Sequence, residues 1–446
     1  MLARKRVIVV GLGSSGMAAA RLCVGQGASV IGTDQRRLEQ LSPDVRELPI
    51  ELVLGGHEQL DFSRADLVVV SPGVPTGSAL ERAEQLGVEV IGELELGCRF
   101  VRSPIVCVGG TNGKSTTVAL LADVLAAAGQ KVFVGGNFGT PLSAIVVDRT
   151  WDCLVLEVSS FQLERAPSFH PHISVLLNLA DDHLDRHRDF EEYARLKGNA
   201  FVRQTDQDLA IVPTEDAICR TQAERGQGRV VTFGVGGDYE SRNLEVLERR
   251  SGIVFSLAES ELRGAHNWSN AAAAIAAARG FGVNEAAVEP GLRRFRPLPH
   301  RMAHAGEVGS IPFYDDSKAT NVGAAVTALL GLTEDRCVLI AGGRDKLGSY
   351  EPLVRALGRK GRAVVLMGEA ADRLAAAIGD RLPVERVRDM EEAVERAYRL
   401  ATPGDAVLLA PACSSYDMFA SYAERGDRFS AAVRALGQRA RAEAPS

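Results

Sequence analysis

Residues 105–128 run from an apolar β-branched segment, Ile105-Val106-Cys107-Val108, through Gly109-Gly110-Thr111-Asn112-Gly113-Lys114-Ser115-Thr116 into an Ala/Leu-rich stretch. A glycine-rich turn that joins a buried strand to a helix is demanding. It suits a parallel α/β sheet, whose helix packs back on one face. The chain uses the same logic twice more. A strand at 6–10 enters Gly11-Leu12-Gly13-Ser14-Ser15-Gly16 and a helix at 17–25, and a strand at 337–341 leads into Gly342-Gly343. Apolar runs at 29–33, 66–71, 88–91, 132–134, 153–158, 173–178, 363–367 and 406–409 supply further strands, and the alanine-rich run 267–279 reads as a helix packed on a sheet. Residues from about 212 to 262 alternate short strand-like pieces with turns such as Gly234-Val235-Gly236-Gly237-Asp238, which predicts an antiparallel addition to the second block.

At roughly 150 residues per domain, a 446-residue chain holds about three. The stiff Pro297-Leu298-Pro299-His300-Arg301 is a natural junction, and a softer one lies near 93–103. The expected architecture is three α/β domains: Rossmann-like over 1–93, P-loop ATPase-like over 94–298 with a parallel sheet plus a small antiparallel one, and Rossmann-like over 299–446.

Charge and composition exclude several classes. Lys plus Arg is 51 against 57 for Asp plus Glu, a formal charge of −6, and no basic stripe for a nucleic-acid duplex is present. Aromatic residues are 5%, too few for a base-stacking platform. The seven cysteines are scattered and form no CxxC pair, as expected of buried thiols in a reducing compartment. The longest uncharged stretch, 132–147, is broken by glycines and Pro141 and falls short of the ~18 apolar residues of a membrane span. The apolar run after Arg4-Lys5-Arg6 ends after four residues, which argues against a secretion signal and for a cytoplasmic protein.

The glycine turns carry the chemistry. Gly11-Leu12-Gly13-Ser14-Ser15-Gly16 matches GxGxxG, with Asp34 18 residues beyond Gly16, a pattern that holds a diphosphate at a helix N-terminus. Alone it would also fit an NAD-dependent dehydrogenase. The second turn is more specific, although Val108 stands where GxxxxGK[ST] has its first glycine. Its N–H groups suit β- and γ-phosphates, Lys114 their charge, and Ser115 a Mg²⁺ ion. Glu157, ending a buried apolar strand, suits that ion or its surroundings, because a carboxylate there needs a cation. Asn178-Leu179-Ala180-Asp181-Asp182-His183-Leu184-Asp185-Arg186-His187 is rich in ligating side chains, and His183 and His187 are spaced for a helical HxxxH zinc pair without a third ligand. Lys197 reads as an exposed helix lysine. Ser317 or Thr320, in Asp315-Asp316-Ser317-Lys318-Ala319-Thr320-Asn321, reads as the cap of the helix that follows. Lys346 and Ser415 follow strand ends, where ligands gather in open α/β sheets.

In order along the chain, Gly-Gly-Thr-Asn-Gly-Lys-Ser-Thr, Glu157-Val158-Ser159-Ser160-Phe161-Gln162-Leu163-Glu164, the Asp-Asp-His segment, His266-Asn267-Trp268-Ser269-Asn270, Pro299-His300-Arg301 and Asp-Asp-Ser-Lys-Ala-Thr-Asn resemble the Mur ligase family of bacterial peptidoglycan synthesis. The Ser-Ser-Phe-Gln-Leu-Glu and Asp-Ser-Lys-Ala-Thr-Asn segments are similar to those of its D-glutamate-adding branch.

The resemblance implies an ATP-dependent ligase that joins D-glutamate to UDP-N-acetylmuramoyl-L-alanine through an acyl phosphate. It implies small-molecule partners only, with neither nucleic acid nor membrane, and a monomer. The first domain would bind the UDP-sugar through Ser14, Ser15, Asp34, Gln35, Arg36 and Gly73, with Asn137, Ser159 and His183 near its reacting end. ATP would meet Gly110, Thr111, Asn112, Gly113, Lys114, Ser115 and Thr116, together with Asn267, Asn270, Arg301 and Asp316. Two Mg²⁺ ions are implied, one held by Ser115 and Glu157, the other by His183 and by Lys197 carrying a carbamate. Lys318, Thr320, Lys346, Ser415 and Tyr422 fall on amino-acid-binding positions, with Lys114, His183, Lys197 and Lys318 as the catalytic set. Tyr422 stands where the family has phenylalanine. The other readings are a ligase of the superfamily using a different amino acid, among them a folylpolyglutamate synthase-like enzyme, the dehydrogenase, or a nucleotide-binding regulator that has lost catalysis. The regulator would lack metal or lysine positions, yet Lys114, Glu157, His183 and Lys197 are all present.

Overall fold

A computed structural model describes residues 2–57, 60–75, 77–137, 139–145, 150–183, 186–262 and 264–443. Three sheets account for the strands described. The first holds β1 (Arg6–Val10), β2 (Ser29–Asp34), β3 (Glu51–Leu54), β4 (Leu67–Val70) and β5 (Glu89–Gly92), in the order β3-β2-β1-β4-β5 and parallel throughout. β1 and β4 are buried on both faces, so their sequences are unbroken apolar runs. β3 is only half-buried and did not stand out in the sequence.

The second sheet has nine strands: β6 (Ile105–Gly109), β7 (Val132–Gly136), β8 (Cys153–Glu157), β9 (Ile173–Leu176), β10 (Leu209–Pro213), β11 (Arg229–Phe233), β12 (Tyr239–Arg242), β13 (Glu245–Glu248) and β14 (Ile253–Ser256). Their order is β14-β13-β12-β11-β10-β9-β6-β8-β7. The antiparallel addition expected over 212–262 forms only in part: β11 and β12 extend the parallel sheet, pairing at Phe233 and Tyr239, and only β13 and β14 follow antiparallel. Helix Ala265–Gly280 packs against this sheet and against helix Lys114–Ala127, and every residue from Ala271 to Ala278 is buried. Methyl side chains permit so close an approach on all sides.

The third sheet contains β15 (Ala303–Val308), β16 (Ile311–Asp315), β17 (Arg336–Gly342), β18 (Gly361–Met367), β19 (Val384–Arg386) and β20 (Asp405–Leu409), in the order β15-β16-β20-β17-β18-β19. Only the β15–β16 hairpin is antiparallel.

By its internal contacts the chain forms two compact units, Met1–Leu179 with Glu191–Phe295, and Ala180–Phe190 with Arg296–Ser446. The Asp-Asp-His segment therefore belongs with the third sheet, although the second sheet flanks it in sequence. All seven cysteines are free thiols, and six are buried. Among the described residues no helix is long and apolar enough to cross a membrane.

Candidate active site

The turn after β6 is built around two glycines in left-handed conformations, Gly110 at φ +133° and Gly113 at φ +86°. A Cβ on Gly113 would lie 2.4 Å from Asn270 Oδ1, and with φ at +86° any side chain there would be strained. Gly113 precedes helix Lys114–Ala127, and the N-terminus of a helix favours an anion. Lys114 folds back over its own turn and donates from Nζ to the carbonyls of Gly110 at 2.9 Å and Thr111 at 2.7 Å. Asn178, just past β9, clamps the turn: Asn112 N–H donates to its Oδ1 at 2.9 Å, and its Nδ2 donates to Asn112 O at 3.1 Å. Thr111 and Tyr193 share a hydroxyl–hydroxyl bond of 3.0 Å. Asn178 opens the ligand-rich segment that runs to His187, but its partner in the turn was not readable there, and Tyr193 did not stand out, since each acts through a contact distant along the chain.

Glu157, 3% exposed at the end of β8, accepts from Ser115 Oγ at 2.6 Å and from Asn137 Nδ2 at 2.7 Å. The serine and the acid are thus side by side, as the turn chemistry requires. Asn270 Nδ2 donates to Asn267 Oδ1 at 3.1 Å. Ser159 caps helix Ser160–Glu164, its Oγ accepting from Gln162 N–H at 3.2 Å. Lys197 departs from expectation. It is 3% exposed, not solvated, and donates to Gly110 O at 3.0 Å. Tyr193, Ala194, Leu196 and Lys197 form the buried face of helix Phe190–Lys197, and the ammonium lies 5.6 Å from the Tyr193 ring centroid.

The first glycine turn is built differently. Gly16 is forced, because a Cβ there would lie 1.7 Å from Gly11 O. Asp34, at the end of β2, accepts from the N–H groups of Leu12 at 2.8 Å and Arg36 at 2.9 Å and from the Arg36 guanidinium at 2.9–3.0 Å. Burial pushes its carboxyl up, but these donors outweigh burial and hold it at about 2. Its effect is to fix Arg36, whose side chain remains half exposed. Gln35 and Gly73 are exposed.

The third-sheet cluster gathers at the ends of β16, β17 and β20. Ser317 does not cap the next helix, and neither does Thr320. Asn321 does, its Oδ1 accepting from Ala324 N–H at 2.8 Å. Ser317 is wholly buried instead: its hydroxyl donates to Tyr422 O at 2.8 Å and accepts from Arg425 Nε at 3.0 Å. Arg425, 1% exposed, also donates to the carbonyls of Ser317 at 2.8 Å and Cys413 at 3.2 Å, so a buried cation ties the Ser317–Lys318 segment to the loop carrying Ser415. Burial lowers its pKa to about 10. Lys318 Nζ donates to the Tyr422 hydroxyl at 3.3 Å and lies 4.7 Å from its ring centroid. Thr320 is half-buried, and Ser415 is 2% exposed. Burial pushes the Asp316 carboxyl up to about 7, the Arg301 charge and the Met302 N–H opposing only part of this.

Lys346 reaches Asp182, Nζ to Oδ1 2.8 Å. His183 stands at φ +57°, outside any helix, so the helical HxxxH zinc pair does not form. Among the described residues no group of three metal-ligating side chains occurs. His183 and Lys197 fall in different compact units.

Three family models match in succession: the Mur ligase MurD-like N-terminal domain over residues 5–92, the Mur ligase middle domain over 108–278, and the Mur ligase glutamate ligase domain over 300–413. The chain belongs to the Mur ligase family. It is 42% identical to a UDP-N-acetylmuramoylalanine–D-glutamate ligase of Desulfosudis oleivorans, covering 97% of this chain and 96% of that one. A Geobacter metallireducens protein of the same name is 41% identical, over 97% of this chain and 98% of its own. Among solved structures, a UDP-N-acetylmuramate–alanine ligase of Thermotoga maritima superposes with TM-score 0.64 at 20% identity, covering 97% of this chain and all of that one. A MurF ligase of Thermotoga maritima in complex with ADP gives 0.63 at 18% identity, covering 99% of this chain and 96% of that one. These share the three-domain Mur ligase fold.

Proposed function

We propose that this Mur ligase couples ATP cleavage to an amide bond between UDP-N-acetylmuramoyl-L-alanine and D-glutamate, in the cytoplasm and as a monomer. What carries the reading is the near-full-length 42% identity to a relative named for that reaction, with the Asp315–Asn321 and Glu157–Glu164 segments intact. Its domains are taken as 1–93 for the UDP-sugar, 94–298 for ATP and 299–446 for the amino acid. Asp34 supports a diphosphate sugar over a dinucleotide. Its carboxylate is fully engaged in fixing Arg36, a cation suited to phosphate, and is not presented to ribose hydroxyls.

A carboxylate is a poor electrophile. The UDP-sugar's alanyl carboxylate oxygen therefore attacks the γ-phosphorus of ATP, the bond to ADP breaks, and an acyl phosphate results. The turn 110–116 holds the phosphates and Lys114 offsets the charge that gathers on the transferred group, leaving its present partners Gly110 and Thr111 to do so. Asn267, Asn270, Arg301 and Asp316 complete the ATP contacts. The D-glutamate amine, positioned by Lys318, Thr320, Lys346, Ser415 and Tyr422, then attacks the acyl carbon and phosphate leaves. Ser14, Ser15, Gln35, Arg36 and Gly73 hold the UDP end, and Asn137, Ser159 and His183 the reacting end. The adjacent oxygen donors Ser115 and Glu157 are the set Mg²⁺ takes, so one ion fits there. A second would be held by His183 and by Lys197 once CO₂ has converted its amine to a carbamate. Bound Mg²⁺ supplies charge neutralisation. Phosphate release measured with UDP-N-acetylmuramoyl-L-alanine, ATP and each amino acid in turn tests the reading. D-glutamate should be used far better than L-alanine, L-lysine or diaminopimelate. Preference for any of these, or NADH formation without phosphate release, would overturn it.

A further inference from the structure

Asp182 and Lys346 form an ion pair inside the unit that joins residues 180–190 to 296–446. Their side chains are 7% and 14% exposed. Asp182 Oδ1 accepts from Lys346 Nζ at 2.8 Å and from His183 N–H at 3.0 Å, and its Oδ2 accepts from Asn321 Nδ2 at 3.2 Å. The neighbouring acid, Asp345, is engaged by Tyr350 at 3.0 Å and by Arg373, so Asp182 is the carboxylate that Lys346 meets. The cavity lined by Asp182, Asn321, Asp345, Lys346 and Tyr350 measures about 20 Å³, room for a single water. A carboxylate that takes Lys346 competes with Asp182 for it.

Parting a buried ion pair with a ligand of one charge leaves the other partner uncompensated, which is strongly unfavourable. A zwitterion avoids that cost. Its α-carboxylate takes the place of Asp182 beside Lys346, and its α-ammonium takes the place of Lys346 beside Asp182. One ion pair becomes two, and no charge is stranded. We infer that Asp182 is the ammonium-binding partner of Lys346, and that the pair selects a free α-amino acid by this exchange. The inference rests on the reading of Lys346 as an amino-acid-binding residue and goes beyond it. It assigns a second charged contact, and it requires that compounds bearing only half of the zwitterion bind poorly.

Glutarate lacks the amine of D-glutamate, and γ-aminobutyrate lacks its α-carboxylate. Each is measured as an inhibitor of phosphate release beside the D-glutamate KM, in the wild-type full chain and in Asp182→Asn and Lys346→Gln, with the Tm of each variant recorded. The wild type should bind both analogues at least ~100-fold more weakly than D-glutamate. Asp182→Asn should raise the D-glutamate KM roughly tenfold or more while glutarate binds as well as before or better. Its preference over glutarate then collapses, and its preference over γ-aminobutyrate persists. Lys346→Gln should give the mirror image, and either variant suffices if the other fails to fold. A merely structural role would weaken all three ligands alike. That result, or unchanged ratios in a folded variant, overturns the inference. A wild type that releases no phosphate with D-glutamate overturns the underlying reading and takes the inference with it.

Discussion

The turns after β1 and β6 are the same device, a parallel strand entering a helix through glycines, yet their surroundings diverge. After β1 the end of the adjacent strand β2 supplies Asp34, whose carboxylate is spent on Leu12 and Arg36. After β6 the adjacent strand β8 supplies Glu157, which meets the serine of the turn itself, and Lys114 and Lys197 both donate to Gly110 O. The role proposed for the first turn is to hold a phosphate-bearing ligand still. The other sets Lys114, Lys197 and Glu157 around the point where a phosphoryl group could move. A glycine pattern therefore announces phosphate, and the side chains that neighbouring strands bring to it decide between holding and transfer.

The largest expected effect breaks the comparison at the second turn. Lys114→Ala should lower phosphate release by at least about a hundred- to a thousandfold, as removal of one charge-stabilising group does, with Tm nearly unchanged. Retention of a tenth of wild-type activity would remove Lys114 from the chemistry. Lys197→Ala should be nearly as damaging, and intact-mass measurement of the wild type should find an added CO₂ that the variant lacks.

At the first turn the effects fall on folding and binding. Gly16→Ala drives a Cβ to 1.7 Å from Gly11 O and should destabilise by about 1–3 kcal/mol, whereas Gly13→Ala, with open space around its Cβ, should be close to neutral. Equal melting temperatures for the two variants would contradict the packing argument. Asp34→Asn should raise the UDP-sugar KM about tenfold by releasing Arg36 and leave the ATP KM unchanged.

Much of this was legible in the sequence, for a physical reason. Strands buried on both faces must be continuously apolar, and tight turns into helices need glycine, so β1, β4, β6, β8 and both turns are written locally. Half-exposed β3 and edge strand β15, with its Ala-His-Ala-Gly-Glu-Val sequence, carry no such signal. The site residues with their own chemistry, Lys114, Ser115 and Glu157, were readable from spacing. Asn178 and Asp182 lay in the ligand-rich segment but their partners were not readable there, and Tyr193 and Arg425 gave no signal, because each acts through a partner many residues away. Lys197 looked exposed because one lysine at a helix end carries no mark of the loop above it.

The smallest effects separate the carboxylates by pH. The folded-state pKa of Asp34, about 2, lies below the ~3.9 of an unfolded chain. Its stabilisation is therefore complete above about pH 4 and is lost as pH falls toward 2, and Asp34→Asn should abolish that limb. Asp316 runs the opposite way. Raised to about 7, it favours the folded state when protonated and loses stability as pH climbs from about 4 to 7. Asp316→Asn should raise Tm at pH 8 and change little at pH 4, and a uniform shift would contradict the burial argument.

The central claim is that the ligand of the first turn delivers its carboxylate to the phosphoryl group held at the second. It is tested most directly with heavy oxygen in the alanyl carboxylate of UDP-N-acetylmuramoyl-L-alanine, in the presence of ATP and D-glutamate. Mass spectrometry of the released phosphate should find one labelled oxygen per amide formed, passed through the acyl phosphate. Unlabelled phosphate accompanying amide formation would mean that the carboxylate was never phosphorylated and would contradict the account.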